Sequence, residues 1–290
     1  FSVMGFSFSG AAPNNGMLFV SLKDYAERKG PGHSLNAVLN RVRGPLFMIP
    51  GAFVVAFAPP AIQGLSTFAG FQFELLDQTG SPGLEGLAGA TYGLIGEGNQ
   101  SGRVQGLFSS FSASDPQLLV EIDRDKARSL GLPLSEVTDA LSVFLGSQYV
   151  NDFDFNNRAY RVYVQADQQF RANPSSLREL YARTVTGRMV PLDTVVKVKE
   201  TTAAQVISHF NLFRSAEISG TAAPGQSSGQ AIAAMEELAK KLPPGFSFAW
   251  AGQSLEEIKS GSQAAGIFAL SVVLVYLVLA AQYESFVLPL

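Results

Sequence analysis

Phe71-Gln72-Phe73-Glu74-Leu75-Leu76-Asp77 is the stretch on which the fold turns. Its aromatic and branched residues predict a β-strand. Leu84 to Ile95 then reads as a helix, although Gly86, Gly89 and Gly93 each weaken it. The same order returns late in the chain. Phe213 to Gly220 reads as a strand and Gly229 to Lys241 as an amphipathic helix, with Ile232, Met235, Glu236 and Leu238 spread over two faces. Phe246 to Ala251 alternates as a closing strand. A strand and a helix thus precede, and a strand–helix–strand unit follows, an insertion between Phe111 and Phe210, and small open sheets with helices on one face follow from that pattern.

Upstream, Met17 to Lys23 alternates as a strand, His33 to Phe47 carries apolar residues at helical spacing, and Phe53 to Phe57 reads as a strand ended by Pro59-Pro60. This is a further strand–helix–strand unit. Inside the insertion, Leu118 to Ile122 and Arg158 to Gln165 read as strands, and Asp125 to Leu130 as a short helix. Ser135 is placed to cap a helix running to Leu145, and Pro174-Ser175-Ser176 to open a short one. Arg183 to Leu192 reads as a hairpin with Thr186-Gly187 at its tip.

Composition bounds the function. Of 290 residues, 47% are hydrophobic and 16% charged, which excludes a disordered chain. The net charge of -3 lacks the basic excess of a nucleic-acid binder. Zero Cys excludes disulfides, thiolate metal sites and Cys nucleophiles, and two His leave little for a His-based centre. The start has no charged segment leading an apolar core, so it is no signal peptide. Ala264 to Ala281 is uncharged and apolar, long enough to predict a membrane helix over 262–283. After polar Gln282 to Ser285, the chain turns apolar again from Phe286. That reads as the start of a second membrane segment, 284–290, in a fragment of a longer protein.

Few motifs carry chemistry. Gly225-Gln226-Ser227-Ser228-Gly229 matches a nucleophile-elbow pattern, but His33 and His209 both lie upstream and Pro224 interrupts the approach. A helix cap at Ser227 or Ser228 accounts for it better. Gly96 to Gly102 misses the dinucleotide fingerprint and follows a helix. Glu121, Asp123 and Asp125 read as exposed strand-edge charges, Asn99-Gln100-Ser101 is a bare sequon, and Trp250 suits the core. Met4 and Met17 are a soft pair suited to Cu(I) or, more simply, to filling a pocket. The most unusual segment runs from Gly5 to Gly16. It is a Gly- and Ser-rich loop that carries Phe6 and Phe8, preceded by Phe1 and followed by Phe19. It serves either to plug a neighbouring core or to wall an apolar pocket. No enzyme residue set emerges.

These blocks together resemble the resistance-nodulation-division multidrug efflux transporters of the hydrophobe/amphiphile class. Gly5-Phe6-Ser7-Phe8-Ser9-Gly10 is similar to their switch loop. Further matches follow in family order: Pro60-Ala61-Ile62, Gly70 to Leu75, Tyr149-Val150-Asn151-Asp152-Phe153, Met189-Val190-Pro191-Leu192, Ala223-Pro224-Gly225, Trp250-Ala251-Gly252 and Tyr283-Glu284-Ser285. The resemblance implies an α+β fold, with ferredoxin-like β-α-β porter subdomains and an inserted α+β docking subdomain, followed by a transmembrane helix. Residues 1–69 would belong to one porter subdomain, 70–112 with 210–255 to a second, and 113–209 to the docking subdomain.

The resemblance also implies a proton-driven homotrimer in the bacterial inner membrane, with most of this chain in the periplasm. It would work with a periplasmic adaptor and an outer-membrane channel, without a cofactor, on small hydrophobic or amphiphilic substrates. Phe1, Phe6, Phe8 and Phe19 match the distal phenylalanine cluster. Gly5, Ser7, Gly10 and Gly16 match switch-loop positions. Phe57, Thr67 and Phe108 match the proximal pocket, and the Thr186-Gly187-Arg188 tip resembles the hairpin facing the channel. Ser7 and Ala11 stand where well-known members carry Gly and Arg, Gly64 where they carry an acid, and Phe108 where they carry Arg. A more apolar pocket and neutral substrates are therefore expected. The alternatives are the heavy-metal branch, with Met4 and Met17 as ligands, and a membrane-anchored binding or adaptor module.

Overall fold

The computed structural model of the chain describes residues 1–7, 10–60, 64 and 66–288, with side chains for all of these but 262–265. It begins with β1 (Ser2–Ser7) and β2 (Gly10–Leu18), an antiparallel pair with a bulge between Met4 and Phe6. The Gly-rich segment thus contributes residues to two paired strands, where a loop is expected. Its Gly, Asn and Pro content hides the strands, but the backbone still pairs along most of its length. Residues 19–23, expected to extend a strand, lie outside it.

Helix α1 (Leu35–Phe47) starts where Ser34 accepts a hydrogen bond from the Ala37 N–H. Phe53 to Phe57 takes no strand conformation. A β-reading needs a sheet to join, and the sheets among the described residues do not include this run. The expected strand–helix–strand unit upstream of Gly70 is thus replaced by a strand pair, a helix and an irregular run.

The next elements are β3 (Phe71–Asp77), α2 (Gly83–Gln100) and β4 (Val104–Phe108). Asp115–Ala203 forms a compact unit of its own, and Phe1–Ser114 joins Ala204–Leu290 in the other. Within 115–203, β5 (Asp115–Ile122) leads to α3 (Arg124–Ser129) and α4 (Leu134–Leu141). Pro133, not Ser135, occupies the N-cap of α4, and no side chain caps it. Proline suits that boundary because its fixed φ admits only the start of a helix. The helical run ends in a π-turn, Ser142–Gly146. Strands β6 (Gln148–Phe155) and β7 (Arg158–Val164) form one hairpin, β8 (Tyr181–Arg183) and β9 (Met189–Pro191) another. A long antiparallel partner for β5 is β10 (Val196–Ala203). Leu132, Val137, Leu177, Leu192 and Val195 are the buried centre of this unit.

The chain closes with β11 (Ser208–Phe210), β12 (Phe213–Ala222), α5 (Ser228–Ala239), β13 (Phe246–Ala251) and α6 (Gly252–Gln282). Ser227 and Gln230 close a capping box at the start of α5.

One sheet unites the two β-α-β halves. Its order is β13, β3, β12, with β4 and β11 both pairing the far side of β12 at different points, and every pair is antiparallel. This is the split β-α-β arrangement expected from the two outer segments, and the fold class is α+β. Phe71, Phe73 and Leu75 alternate toward the helices and meet Leu87, Leu94, Met235, Leu238 and Trp250. Phe73 packs edge-on to Trp250 at 5.2 Å and stacks on Phe248 at 5.3 Å.

Helix α6 differs from the single span expected over 262–283. It starts at Gly252, so Glu256, Glu257 and Lys259 occupy its first part. Among the described residues no single helix is long and apolar enough to cross a membrane. Gly252–Gly261 and Gly266–Gln282 reach that length and composition only together, bent by 42°. The second part is uncharged and exposes Phe268, Leu270, Val272, Val275 and Val278. Residues 283–288 continue in turns, and Pro289 and Leu290 lie outside the described residues.

Candidate functional site

The paired strands present Phe6 outward, and the flanking Phe1 and Phe19 are exposed as well. At the bulge, Gly5 has φ +76°, a backbone that L side chains rarely adopt; Gly10, opposite Ser7 at the start of β2, has φ +119°. Gly16 needs no such freedom. Phe6 projects from the exposed face opposite Ala11. Phe1 and Phe19 extend the ladder by one step, through the Phe19 N–H to the Phe1 carbonyl at 2.7 Å. Their rings meet at 5.4 Å, and both remain exposed. Ser7 donates to the Gly10 carbonyl at 3.4 Å. Phe8 lies outside the described residues. Met4 stands opposite Gly16, and Met17 opposite Val3. Those ladder positions alternate sides, so the two sulfurs point to opposite faces and cannot share a metal.

A second aromatic group forms where the irregular run after α1 meets β4. Phe57 packs edge-on to Phe68 at 4.5 Å, and Phe68 edge-on to Phe108 at 5.2 Å. Phe57 and Phe108 are half-buried while Phe68 is buried, so the outer rings form a wall with Phe68 behind them. Thr67 is exposed beside it. Arg43 of α1 donates to the Ala56 carbonyl at 3.5 Å, and its guanidinium lies over Gly106 of β4. The structure therefore joins Phe57 to Phe108 through Phe68, a residue that no sequence motif singles out.

Sequence reasoning also misses an acidic pair. On the sheet face away from the helices, Glu74 stands directly opposite Glu217. Glu74 is only 8% exposed. Burial, and then the neighbouring Glu217 charge, raise its pKa to about 7, while a hydrogen bond with Ser215 opposes the rise. Gln72 Nε2 at 3.2 Å and Ser219 Oγ at 2.8 Å both donate to Glu217 Oε1. Ser219 is itself paired with Phe108, so the acidic face adjoins the aromatic wall. Only the register of strands distant in the chain reveals this; alternation along either strand alone does not.

In the 115–203 unit, Thr186, Gly187 and Arg188 form the exposed tip between β8 and β9. Thr184 accepts from the Arg188 N–H at 3.0 Å, and Gly187 turns the chain with φ +85°. The elbow-like serines serve α5: Ser227 caps it, and the Ser228 hydroxyl bonds Glu257. No cluster of His, Cys, Asp or Glu able to hold a metal occurs among the described residues.

Comparison with known proteins decides the family. Residues 1–290 match the AcrB/AcrD/AcrF family along their whole length. The chain belongs to that family. It is 43% identical over 295 residues to the multidrug export protein AcrF of Escherichia coli K12, with all of this chain and 28% of that protein aligned. It is 39% identical over 290 residues to the multidrug resistance protein MdtF of the same strain, covering 28% of it. It is 38% identical over 290 residues to the multidrug/solvent efflux pump membrane transporter MepB of Pseudomonas putida, covering all of this chain and 27% of that protein. The chain thus spans little more than a quarter of these AcrB-family relatives.

Proposed function

We propose that this chain is part of a proton-driven inner-membrane exporter of hydrophobic and amphiphilic compounds, drugs and solvents among them. The carrying observation is 38–43% identity, across the entire chain, to proteins named for multidrug export, multidrug resistance and multidrug/solvent efflux. Such an exporter would act as a homotrimer with a periplasmic adaptor and an outer-membrane channel.

The chain's own share follows from its surfaces. The compact unit 115–203 is assigned to docking, with the Thr186-Gly187-Arg188 tip toward the channel. The β3–β12 sheet and its helices, with the segment before them, are assigned to the porter. Gly266–Gln282 rises about 25 Å as a helix and lies in lipid, which accounts for its exposed apolar side chains. Phe57, Thr67 and Phe108 line one substrate compartment, and Phe1, Phe6, Phe8 and Phe19 line another, separated by the Gly5–Gly16 segment. Rings recognise varied amphiphiles through area and stacking, so a wall of this kind suits a broad substrate range.

The test uses a bacterium stripped of its own pumps and expressing the full-length protein. Wild type should restore resistance to apolar drugs, and Phe57→Ala with Phe108→Ala should lower it several-fold at equal protein level. Wild-type protein in the membrane, with its partners present and no gain of resistance, would refute the reading.

A further inference from the structure

Glu74 and Glu217 occupy directly opposed positions of an antiparallel pair. Side chains so placed leave the strands about 5 Å apart, and like charges there repel. Among the described residues no ion pair includes either carboxylate.

The neighbouring elements supply polar and apolar groups, not a counter-charge. By register, β13 sets Ala249 beside Glu74, and Ser247 follows beside Leu76. Ser215 and Ser219 flank Glu217 on β12, and β11 brings Ser208 to Ser215. From β4 comes Phe108, beside Ser219. Helix α6 reaches the Gln72 N–H with Ser254, while its Glu257 engages Ser228 and its Glu256 pairs with Lys259. Arg43 of α1 is bonded to the Ala56 carbonyl at the β4 edge. Two donors, Gln72 and Ser219, serve Glu217, whereas Ser215 alone bonds Glu74, so the sheet stabilises charge on Glu217 more than on Glu74.

We propose that Glu74 and Glu217 form a proton-binding pair, with Glu74 the carboxylic acid and Glu217 the carboxylate. The rise of Glu74 to about 7 agrees with that division. The face then carries one negative charge while the proton is held, and two once it leaves. A second arm, which rests on the pocket proposed above, follows from the position of Phe108. Cationic amphiphiles should bind more tightly after the proton leaves, and neutral ones should not respond.

Infrared difference spectroscopy across pH steps on the purified full-length protein tests the pair. The carbonyl band of the protonated acid should fade near pH 7 in wild type and be absent in Glu74→Gln. Subtracting that variant from wild type isolates the site from other carboxyls. Glu217→Gln should keep the band and lower its midpoint by about one pH unit, because the repelling charge is gone. Identical spectra for wild type and Glu74→Gln, or a midpoint unmoved by Glu217→Gln, would overturn the proposal. A cationic dye should bind about three-fold more tightly at pH 8 than at pH 6, while a neutral dye stays level. A correct titration without any dye response leaves the proton pair standing and counts against the pocket.

Discussion

Phe68 is the residue on which the aromatic wall depends. Its ring lies between Phe57 and Phe108 and is buried, so truncation removes two edge contacts and leaves a void. Phe68→Ala should destabilise the protein by about 3 kcal/mol, read as a lower melting temperature. Phe108→Ala, half-exposed, should cost less stability and show mainly in substrate binding. Glu74 makes a separate prediction about pH. Its pKa in the fold lies above the ordinary value of 4.5, at about 7, so the folded state binds the proton more tightly than the unfolded one. Its contribution to stability is then fully present below pH 4.5 and is lost as pH rises through 7. That loss amounts to about 2 kcal/mol, since each tenfold change in proton affinity is worth ~1.4 kcal/mol and the site keeps some contact with solvent. Thermal unfolding of Glu74→Gln across the same range should lack the step. Neither residue is legible in the sequence. A single Phe between Thr67 and Ala69 carries no pattern, and the acidic partner of Glu74 comes from a strand far along the chain.

Elements differ in how openly the sequence announces them. Phe71–Asp77 and Phe246–Ala251 are legible with their observed bounds, because apolar residues there are dense and flanked by turn formers. β4 is not: Gly106 interrupts it, and its identity as a strand comes from pairing with β12. The β1–β2 pair is hidden by glycine and asparagine, while Phe53 to Phe57 looks like a strand and belongs to no sheet among the described residues. Propensity describes a half-buried pleated surface and cannot supply the neighbour. The α5 capping box, by contrast, is visible at Ser227, one of the two serines that suit a cap. Ser227→Ala should cost about 1 kcal/mol, measurable by chemical denaturation. At Gly220, a Cβ would lie 2.3 Å from Leu107 Cδ2 and 3.0 Å from the Phe71 ring. Gly220→Ala should therefore cost about 2 kcal/mol by forcing β12 away from β4 and the core.

At the scale of the molecule, a strand and helix, an insertion and a closing β-α-β half are legible in that order from alternation and helical spacing. The halves join through β3–β12 pairing into one sheet, and the segment between them contains a compact unit, Asp115–Ala203. The membrane region is less legible, because the helix bearing the apolar run starts in charged sequence and meets the length requirement only as a bent pair. If the chain serves a hydrophobic exporter, the wall built from Phe57, Phe68 and Phe108 should receive its cargo. An electron cryo-microscopy structure of the full-length protein with a bound apolar drug tests it most directly. Ligand density should lie against the Phe57 and Phe108 rings in at least one protomer and be lost in Phe57→Ala with Phe108→Ala. Ligand held elsewhere in every protomer, with those rings bare, would contradict it.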